Sequence, residues 1–354
     1  MIYRFFRPVL FLFPPEMVHG WSIFFVRFFY YFNFVNNKNI NKKYINNNFI
    51  GLAAGLDKNG QAIDQWFNLG FGFIEIGAVT PKPQPGNPKP RVFRLPKHHA
   101  LINRFGFNNR GVNHIVRRLK KRKYTQGAVG VNLGKNATTP LKWALDDYRY
   151  GLTKVYPYAD FVTVNISSPN TANLRNLQER SALRALLTGL MKQKIVLEKH
   201  WQSKVPLYIK ISPDLSDQEL KDICQLVLEL GVEGIIATNT TLNRQALVIN
   251  SKITQESGGL SGEPLFKQSL AIVARVRELV GQKVTIIGVG GISSAQDVKK
   301  MLAAGADLVQ LYTALIYHGP GLIKKIVREL NYAGFIHELE RQPSPPINPH
   351  SSIL

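Results

Sequence analysis

The sequence predicts a closed (β/α)₈ barrel of the TIM type with a short helical extension at its N-terminus. Three observations support this fold class: eight short apolar runs recur along the chain, amphipathic patterns separate most of them, and polar clusters follow nearly every run. The chain has 354 residues, 45% of them hydrophobic, which suffices for one large core. An open, doubly wound sheet is the weaker alternative.

The eight apolar runs have the character of buried parallel strands. Several are apolar on consecutive positions, as strands covered on both faces must be. The runs are residues 49–53, 73–76, 128–132, 161–165, 207–211, 234–238, 284–289 and 307–311. Helical patterns lie at 141–155, 182–200, 217–230, 266–280 and 295–304. Strands and helices that alternate in this way favour a parallel sheet.

Polar and glycine-rich clusters follow the strands, where a barrel of this kind carries its active site. One such cluster alone is typical of an ordinary turn or helix cap, but eight in succession indicate a common mouth. The clusters lie at 54–58, 77–80, 134–136, 167–170, 212–214, 239–241, 290–291 and 312–313.

Two segments fall outside the repeat. Residues 81–107 form a long insertion, and the alternation in Arg91-Val-Phe-Arg-Leu95 predicts a hairpin that covers the barrel mouth. We expect residues 41–338 to form the barrel. The proline-rich segment 339–354 is predicted to be a disordered tail.

Residues 1–40 form a separate helical segment with many aromatic side chains. Two short helices divided by Pro14-Pro15 would present an apolar surface edged by Arg4, Arg7 and Arg27, as interfacial membrane anchors do. The alternative is a helical hairpin packed on the barrel. No stretch reaches the roughly 20 uninterrupted apolar residues that a spanning helix needs, because charged residues and Pro14 break up the N-terminus, so we expect no spanning helix. No small-residue cleavage site follows the first apolar residues, so we expect no signal peptide.

Charge and cysteine content restrict the function only broadly. The 45 Lys and Arg exceed the 23 Asp and Glu, and the net charge of +22 favours an anionic partner, whether membrane lipid, nucleic acid or acidic metabolite. Cys224 is the only cysteine, so the chain has no intrachain disulfide and no cysteine-based metal cluster. Its helical surroundings predict a core residue rather than a reactive thiol.

Five motifs resemble those of the dihydroorotate dehydrogenases. They are Gly51-Leu-Ala-Ala-Gly-Leu-Asp-Lys-Asn-Gly60, Thr80-Pro-Lys-Pro-Gln-Pro-Gly-Asn87, Ile102-Asn-Arg-Phe-Gly-Phe-Asn108, Asn165-Ile-Ser-Ser-Pro-Asn-Thr171 and Gly258-Gly-Leu-Ser-Gly262. The resemblance runs in order from about residue 2 to residue 335. It implies an enzyme that oxidises dihydroorotate to orotate through bound FMN, in the biosynthesis of pyrimidines (UMP).

The same resemblance implies that Ser168 is the catalytic base. Serine is a weak base, so it needs a site of low dielectric and a relay partner, for which Thr171 and a water gated by Phe107 are candidates. Cytosolic members are similar but carry a cysteine here, so the resemblance favours the class that reduces quinones. A plain strand-to-helix turn is the alternative interpretation of residues 167–170.

Dihydroorotate is a small anion with amide edges, and the candidate residues suit it. Lys58 would supply the cation, and asparagines and a threonine would bind the carboxylate and the ring amides. By resemblance the substrate residues are Lys58, Asn103, Arg104, Phe105, Gly106, Phe107, Asn165, Asn170, Asn239 and Thr240.

The flavin needs a phosphate site, room for its ring and positive charge near the pyrimidine end, which Lys210 would supply. Ala78 stands where many relatives carry a hydroxyl residue, so only its backbone could make that contact, and it is left out of the residues implied for FMN. The residues implied for FMN are Ala54, Gly55, Leu56, Asp57, Lys58, Asn132, Asn165, Lys210, Thr238, Gly262, Gly291, Tyr312 and Thr313.

The second substrate implied by the resemblance is a membrane quinone that approaches past the N-terminal helices. His19, Arg94 and Tyr312 match positions along that route, and Arg27 is a further candidate. We therefore expect peripheral attachment to the cytoplasmic face of the bacterial inner membrane, with no metal and no nucleic acid. The alternatives are a flavin barrel that reduces uridine in transfer RNA, which uses a cysteine acid, and a non-catalytic membrane adaptor.

Overall fold

A computed structural model of the protein describes residues 2–36, 48–123, 127–247 and 252–332. Eight parallel strands close into a barrel in the order β1-β2-β5-β6-β7-β8-β10-β11, which confirms the predicted fold class. Each barrel strand lies within three residues of its predicted run at both ends. The strands are β1 (Ile50–Leu52), β2 (Phe73–Val79), β3 (Val92–Leu95), β4 (Ala100–Asn103), β5 (Ala128–Leu133), β6 (Phe161–Asn165), β7 (Leu207–Ile211), β8 (Gly234–Ala237), β9 (Gly259–Gly262), β10 (Thr285–Val289) and β11 (Leu308–Leu311).

The five helices that were predicted around the barrel begin and end within three residues of their predicted positions. Helix α7 coincides with its predicted range because local signals fix both ends: Ser216 and Glu219 form a capping box, and Gly231 ends the helix in the left-handed conformation. The helices are α1 (Ile2–Phe11), α2 (Pro15–Asn36), α3 (Ile63–Asn68), α4 (Val112–Leu119), α5 (Ala144–Val155), α6 (Arg180–Trp201), α7 (Asp217–Leu230), α8 (Phe266–Val280), α9 (Ala295–Ala303), α10 (Thr313–His318) and α11 (Leu322–Tyr332).

Aromatic rings at the starts of strands fill the amino-terminal end of the barrel. The Phe161 ring lies between the rings of Phe73 and Tyr208, with centroid distances of 6.2 and 5.4 Å. Glycines on neighbouring strands make room for these rings: a Cβ at Gly130 would lie 2.0 Å from the Phe161 ring. Because this end is closed by packed rings, the cavity of the barrel can open only at the opposite end.

The insertion after β2 forms the predicted hairpin, and a third strand joins it. Strands β3 and β4 pair in antiparallel register, and β9 pairs with the other edge of β4. The sequence shows Gly258–Gly262 as a motif but does not predict a strand there. Its glycines carry little intrinsic strand preference, and its partner lies more than 150 residues earlier, so only the tertiary fold creates this strand.

Helices α1 and α2 are divided near Pro14 as predicted, but α2 has 22 residues and is not short. Polar contacts fix both helices to the barrel and the hairpin. Arg91 donates to both carboxylate oxygens of Glu16, at 3.1 and 2.7 Å, and Tyr3 donates to the Ile316 carbonyl at 2.6 Å.

The same two helices also present a broad apolar face to solvent. They therefore pack on the barrel and expose an apolar surface at the same time. No helix in the described ranges has the length and hydropathy needed to cross a membrane. The aromatic side chains at positions 29–34 and the predicted tail lie outside what the structure describes. The exposed residues are Phe5, Phe6, Val9, Leu12, Phe13, Met17, Trp21, Phe24, Phe25 and Phe28.

Candidate active site

One cavity opens at the carboxyl ends of the barrel strands, with a volume of about 1100 Å³ that includes its open mouth. Lys58, Asn103, Ser168, Lys210 and Asn239 all line it, although they are spread over more than 180 residues of sequence. The other sequence-predicted residues along its wall are Ala54, Gly55, Phe105, Gly106, Phe107, Asn165, Asn170, Thr238, Thr240, Gly262, Gly291, Tyr312 and Thr313.

Four residues predicted for substrate or flavin are not in the cavity wall: Leu56, Asp57, Arg104 and Asn132. The Asp57 carboxylate accepts hydrogen bonds from the Gln61 and Ala62 amides and from the Trp66 indole, and so organises the start of α3. Arg104 points to the surface and pairs with Glu256 at 2.6 Å. Leu56 also lies outside the wall, with its carbonyl 2.7 Å from His19 Nε2.

Lys58 is a buried cation in the cavity wall. Its Nζ lies 3.3 Å from the centre of the Phe105 ring, close enough for a cation–π contact. Burial, together with the charge of nearby Arg91, lowers the pKa of Lys58 to about 7, and Glu16 opposes the shift. A lysine in this state changes its charge near neutral pH and can attract an anionic ligand.

Ser168 follows β6, which delivers it to the cavity. Its Oγ accepts a hydrogen bond from the Asn170 amide at 3.3 Å. Thr171 Oγ1 is buried without a hydrogen-bond partner among the described residues, as expected of a group that bonds to a water or a ligand. Phe107 also lines the cavity, in a left-handed conformation with φ 54°.

Four asparagines form two hydrogen-bonded pairs along the wall. Asn239 Nδ2 donates to Asn165 Oδ1, and Asn170 Nδ2 donates to Asn103 Oδ1, each at 3.3 Å. Each amide has both donor and acceptor atoms, so the wall can bind a ligand that carries both along one edge. These pairs join the loops after β4, β6 and β8.

Lys210, the next-to-last residue of β7, is buried inside the barrel; this burial lowers its pKa, and Glu75 opposes the shift. Three further polar side chains, Glu75, Asn132 and Gln310, are fully buried in the barrel, and only Asn132 was predicted as a site residue. The Glu75 carboxylate accepts from Asn132 Nδ2 at 2.8 Å and from Gln310 Nε2 at 2.9 Å. Glu75 and Gln310 each interrupt an apolar strand, and that was the signal available in the sequence.

The loops after β9, β10 and β11 have the features of a phosphate site. Gly262 and Gly291 have φ of 98° and 76°, and a Cβ at either would lie within 2.5 Å of another backbone atom. Thr313 Oγ1 donates to Ser261 Oγ at 2.9 Å. Glycines in this conformation let the backbone amides approach an anion closely, so a flavin phosphate fits these residues.

The three residues predicted for the quinone route lie at different places. Tyr312 lines the cavity, with its hydroxyl 3.5 Å from the Gly55 carbonyl. His19 joins α2 to the loop after β1 through Leu56. Arg94 donates to the carbonyls of Phe11 and Phe13 at the end of α1, and Arg27 lies in a separate groove with Phe28 and Arg118.

Cys224 cannot act in this cavity. It lies on α7, 2% exposed, and burial raises the pKa of its thiol to about 12. The cysteine acid that the transfer RNA alternative needs is therefore absent from the cavity wall of the described chain.

Wall residues that the sequence analysis did not name as site residues come mostly from the strand ends and from the last helices. Several are small or apolar and carry no recognisable motif. They are Ala53, Ala78, His99, Ser261, Glu263, Leu265, Val289, Gly290, Ile292, Ser293, Gln310, Leu311, Ala314, Tyr317 and His318.

Comparisons with known proteins agree on one family. The family model described as "Dihydroorotate dehydrogenase" matches residues 35–333. A Coxiella burnetii (strain Dugway 5J108-111) protein named dihydroorotate dehydrogenase (quinone) is 48% identical over 342 residues, or 93% of this chain and 97% of the relative. One of the same name from Bordetella avium (strain 197N) is 53% identical and covers 80% of this chain and 81% of its own. The crystal structure of DHODH from Eimeria tenella in complex with ferulenol superposes with a TM-score of 0.82 at 36% identity, covering 93% of this chain and 96% of that one.

Proposed function

Since this chain belongs to the dihydroorotate dehydrogenase family, we propose that it oxidises dihydroorotate to orotate with bound FMN and passes the electrons to a membrane quinone. The reaction would serve pyrimidine biosynthesis. The observation that supports it is the meeting of Lys58, Asn103, Ser168, Lys210 and Asn239 around one cavity. This cavity opens at the carboxyl ends of the barrel strands, where barrels of this kind bind cofactor and substrate.

In the proposed complex, Lys58 binds the carboxylate of dihydroorotate. The asparagine pairs Asn103–Asn170 and Asn165–Asn239 bind the amide edge of its ring, since they offer donors and acceptors side by side. Gly106 and Phe107 line the cavity beside them and exclude water from the reacting carbon. These contacts fix the substrate before any bond is broken.

Ser168 Oγ would remove the proton from the substrate carbon next to the one that gives up hydride. Thr171, with its unpartnered buried hydroxyl, is positioned in the same loop to pass the proton to water. When bound, FMN supplies the acceptor for the hydride. Lys210 would bring positive charge to the ring, and Gly262, Gly291, Tyr312 and Thr313 would hold the phosphate.

The N-terminal segment, residues 1–40, would carry the quinone to the barrel of residues 41–338. Its exposed aromatic face suits the headgroup region of a bilayer, and Tyr312 forms part of the cavity wall. We propose peripheral attachment at the cytoplasmic face of the cell membrane, with His19 and Arg94 along the quinone route.

The test of the proposed function is the visible spectrum of the purified protein. We expect a yellow protein that dihydroorotate bleaches and a quinone recolours, and we expect the released flavin to run as FMN in chromatography. Fumarate and NAD, offered as alternative acceptors, should not restore the colour. A colourless protein, or one that dihydroorotate leaves yellow, would contradict the proposal.

The pKa of Lys58 predicts how binding depends on pH. Below about pH 7 the ligand-free protein carries a charged Lys58, whereas above it the lysine must take up a proton to bind an anion. The dissociation constant of orotate should therefore be constant below about pH 7 and rise by up to about tenfold per pH unit above it. Titration of the flavin spectrum with orotate measures this. Lys58→Gln should bind weakly and lose this dependence; an unchanged slope in the variant would assign the titration to another group.

A further inference from the structure

Glu75 lies at the centre of a buried polar network that connects the barrel interior to the cavity wall. It is fully buried on β2, and its amide partners stand on β5 and β11. A carboxylate can only accept hydrogen bonds, so the amides of Asn132 and Gln310 must both turn their nitrogen atoms towards Glu75. This fixes the orientation of two side chains whose oxygen and nitrogen would otherwise be interchangeable.

The fixed orientation of Asn132 in turn orients Asn165, which lines the cavity. With its nitrogen bound to Glu75, Asn132 Oδ1 accepts from Asn165 Nδ2 at 2.9 Å. Asn165 Oδ1 is then left to accept from Asn239 Nδ2 at 3.3 Å, and Asn239 Oδ1 accepts from the Thr240 amide at 2.8 Å. Glu75 thus sets the direction of Asn132 and, through it, of Asn165; the backbone amides of Ser167 and Thr240 donate to Asn165 Oδ1 and Asn239 Oδ1 and favour the same directions.

Glu75 also fixes the orientation of Gln310, which lines the cavity. Its nitrogen is bound to Glu75, while its Oε1 is buried without a partner among the described residues. Because Gln310 lines the cavity, this oxygen remains as an acceptor for a bound group. The Glu75 charge also attracts Lys210 and opposes the loss of its proton by burial.

We propose that Glu75 is a positioning residue that sets which wall atoms donate and which accept, and thereby the affinity of the site for flavin and for the orotate ring. The proposal rests on the proposed function, because it takes flavin and orotate as the ligands. Glu75 itself would contact neither of them.

The test uses Glu75→Gln, which keeps the shape but can no longer accept from both amides. Either Asn132 or Gln310 must then turn round. The acceptor that faces Asn165, or the one that Gln310 offers to the cavity, becomes a donor. We expect the dissociation constant of orotate, of FMN or of both to rise about tenfold or more, as the loss of a buried hydrogen bond to a charged group would cause. Orotate affinity is measured from the flavin spectrum, and FMN affinity by reconstitution after flavin removal.

The matched variant is Glu75→Gln combined with Asn132→Asp, which moves the carboxylate one strand along. The new carboxylate on β5 can accept from Asn165 and from the new amide on β2. The oxygen of that amide can still accept from Gln310, so every original direction is restored. Both dissociation constants should return to within about threefold of the wild type. Asn132→Asp alone places two carboxylates together and should bind less well than the double variant.

The outcomes separate this proposal from the proposed function. Bleaching of the wild-type protein by dihydroorotate tests the function, and the variants test Glu75. Binding within about threefold of the wild type in Glu75→Gln, or no recovery in the double variant, would overturn the positioning role. If thermal unfolding shows that neither variant folds, Glu75 is a structural residue and the proposal is wrong.

Discussion

Ser168→Ala should bind flavin normally and lose nearly all of its ability to have that flavin bleached by dihydroorotate. The hydroxyl lies in the cavity wall and makes one 3.3 Å hydrogen bond, to the Asn170 amide, so its removal should disturb the fold little. A positioned base contributes about 10² to 10⁴ in rate, and we expect a loss in this range. Stopped-flow absorbance of the flavin, mixed with dihydroorotate without any quinone, measures the step directly.

The neighbouring serine is a matched control. Ser167 is fully buried outside the cavity wall, where its Oγ accepts from Asn239 Nδ2 at 3.0 Å. Ser167→Ala removes the same atom one residue away, and should slow bleaching by no more than about tenfold, through looser positioning of Asn239. Ser168→Cys should retain partial activity because a thiol can also remove a proton. Bleaching of Ser168→Ala at the wild-type rate would remove Ser168 from the mechanism.

The barrel could be predicted from the sequence because its signals are local. Apolar runs mark the eight strands, and the Ser216 capping box with Gly231 marks both ends of α7. Strand β9 could not be predicted, because its glycine-rich residues become a strand only by pairing with β4, which is distant in sequence. The length of α2 was also missed, since the pattern around Pro14 marks where a helix begins but not where it ends.

The sequence predicts which residues line the cavity where they lie at or just beyond the end of a strand, and not where the position of a side chain depends on its partners. Lys210 is the next-to-last residue of β7 and Ser168 lies three residues beyond β6, so both reach the mouth formed by the carboxyl ends of the strands. Asp57 and Arg104 belong to the matched motifs, but Asp57 accepts hydrogen bonds at the start of α3 and Arg104 pairs with Glu256. A motif alone does not show which partners a side chain will have. Glu75 and Gln310 lie within strands, and only the closed barrel brings their side chains together.

Deletion of residues 1–34 should abolish quinone reduction and membrane attachment while bleaching by dihydroorotate continues. The helices contact the barrel and the hairpin through Tyr3, the Glu16–Arg91 pair, His19 and Arg94. The proposed substrate residues, in contrast, all lie beyond residue 57. The deleted segment carries the exposed apolar face that would enter the bilayer. Bleaching, quinone reduction and sedimentation with vesicles measure the three properties separately. Full quinone turnover by the truncated protein would count against the proposed route.

Point substitutions test the role of the exposed aromatic residues in membrane binding without removing helices α1 and α2. Phe5 and Phe24 are 77% and 60% exposed, so Phe5→Ser with Phe24→Ser should leave the fold intact. Each loses about 1 kcal/mol of apolar burial in the bilayer, and vesicle binding should weaken roughly thirtyfold. Trp143 and Trp201, which flank helices α5 and α6 of the barrel, are 55% and 42% exposed. Serine at both of these positions removes as much exposed aromatic surface and should leave vesicle binding unchanged. Equal losses in the two pairs would mean that the basic, aromatic protein binds membranes over its whole surface rather than through its N-terminal helices.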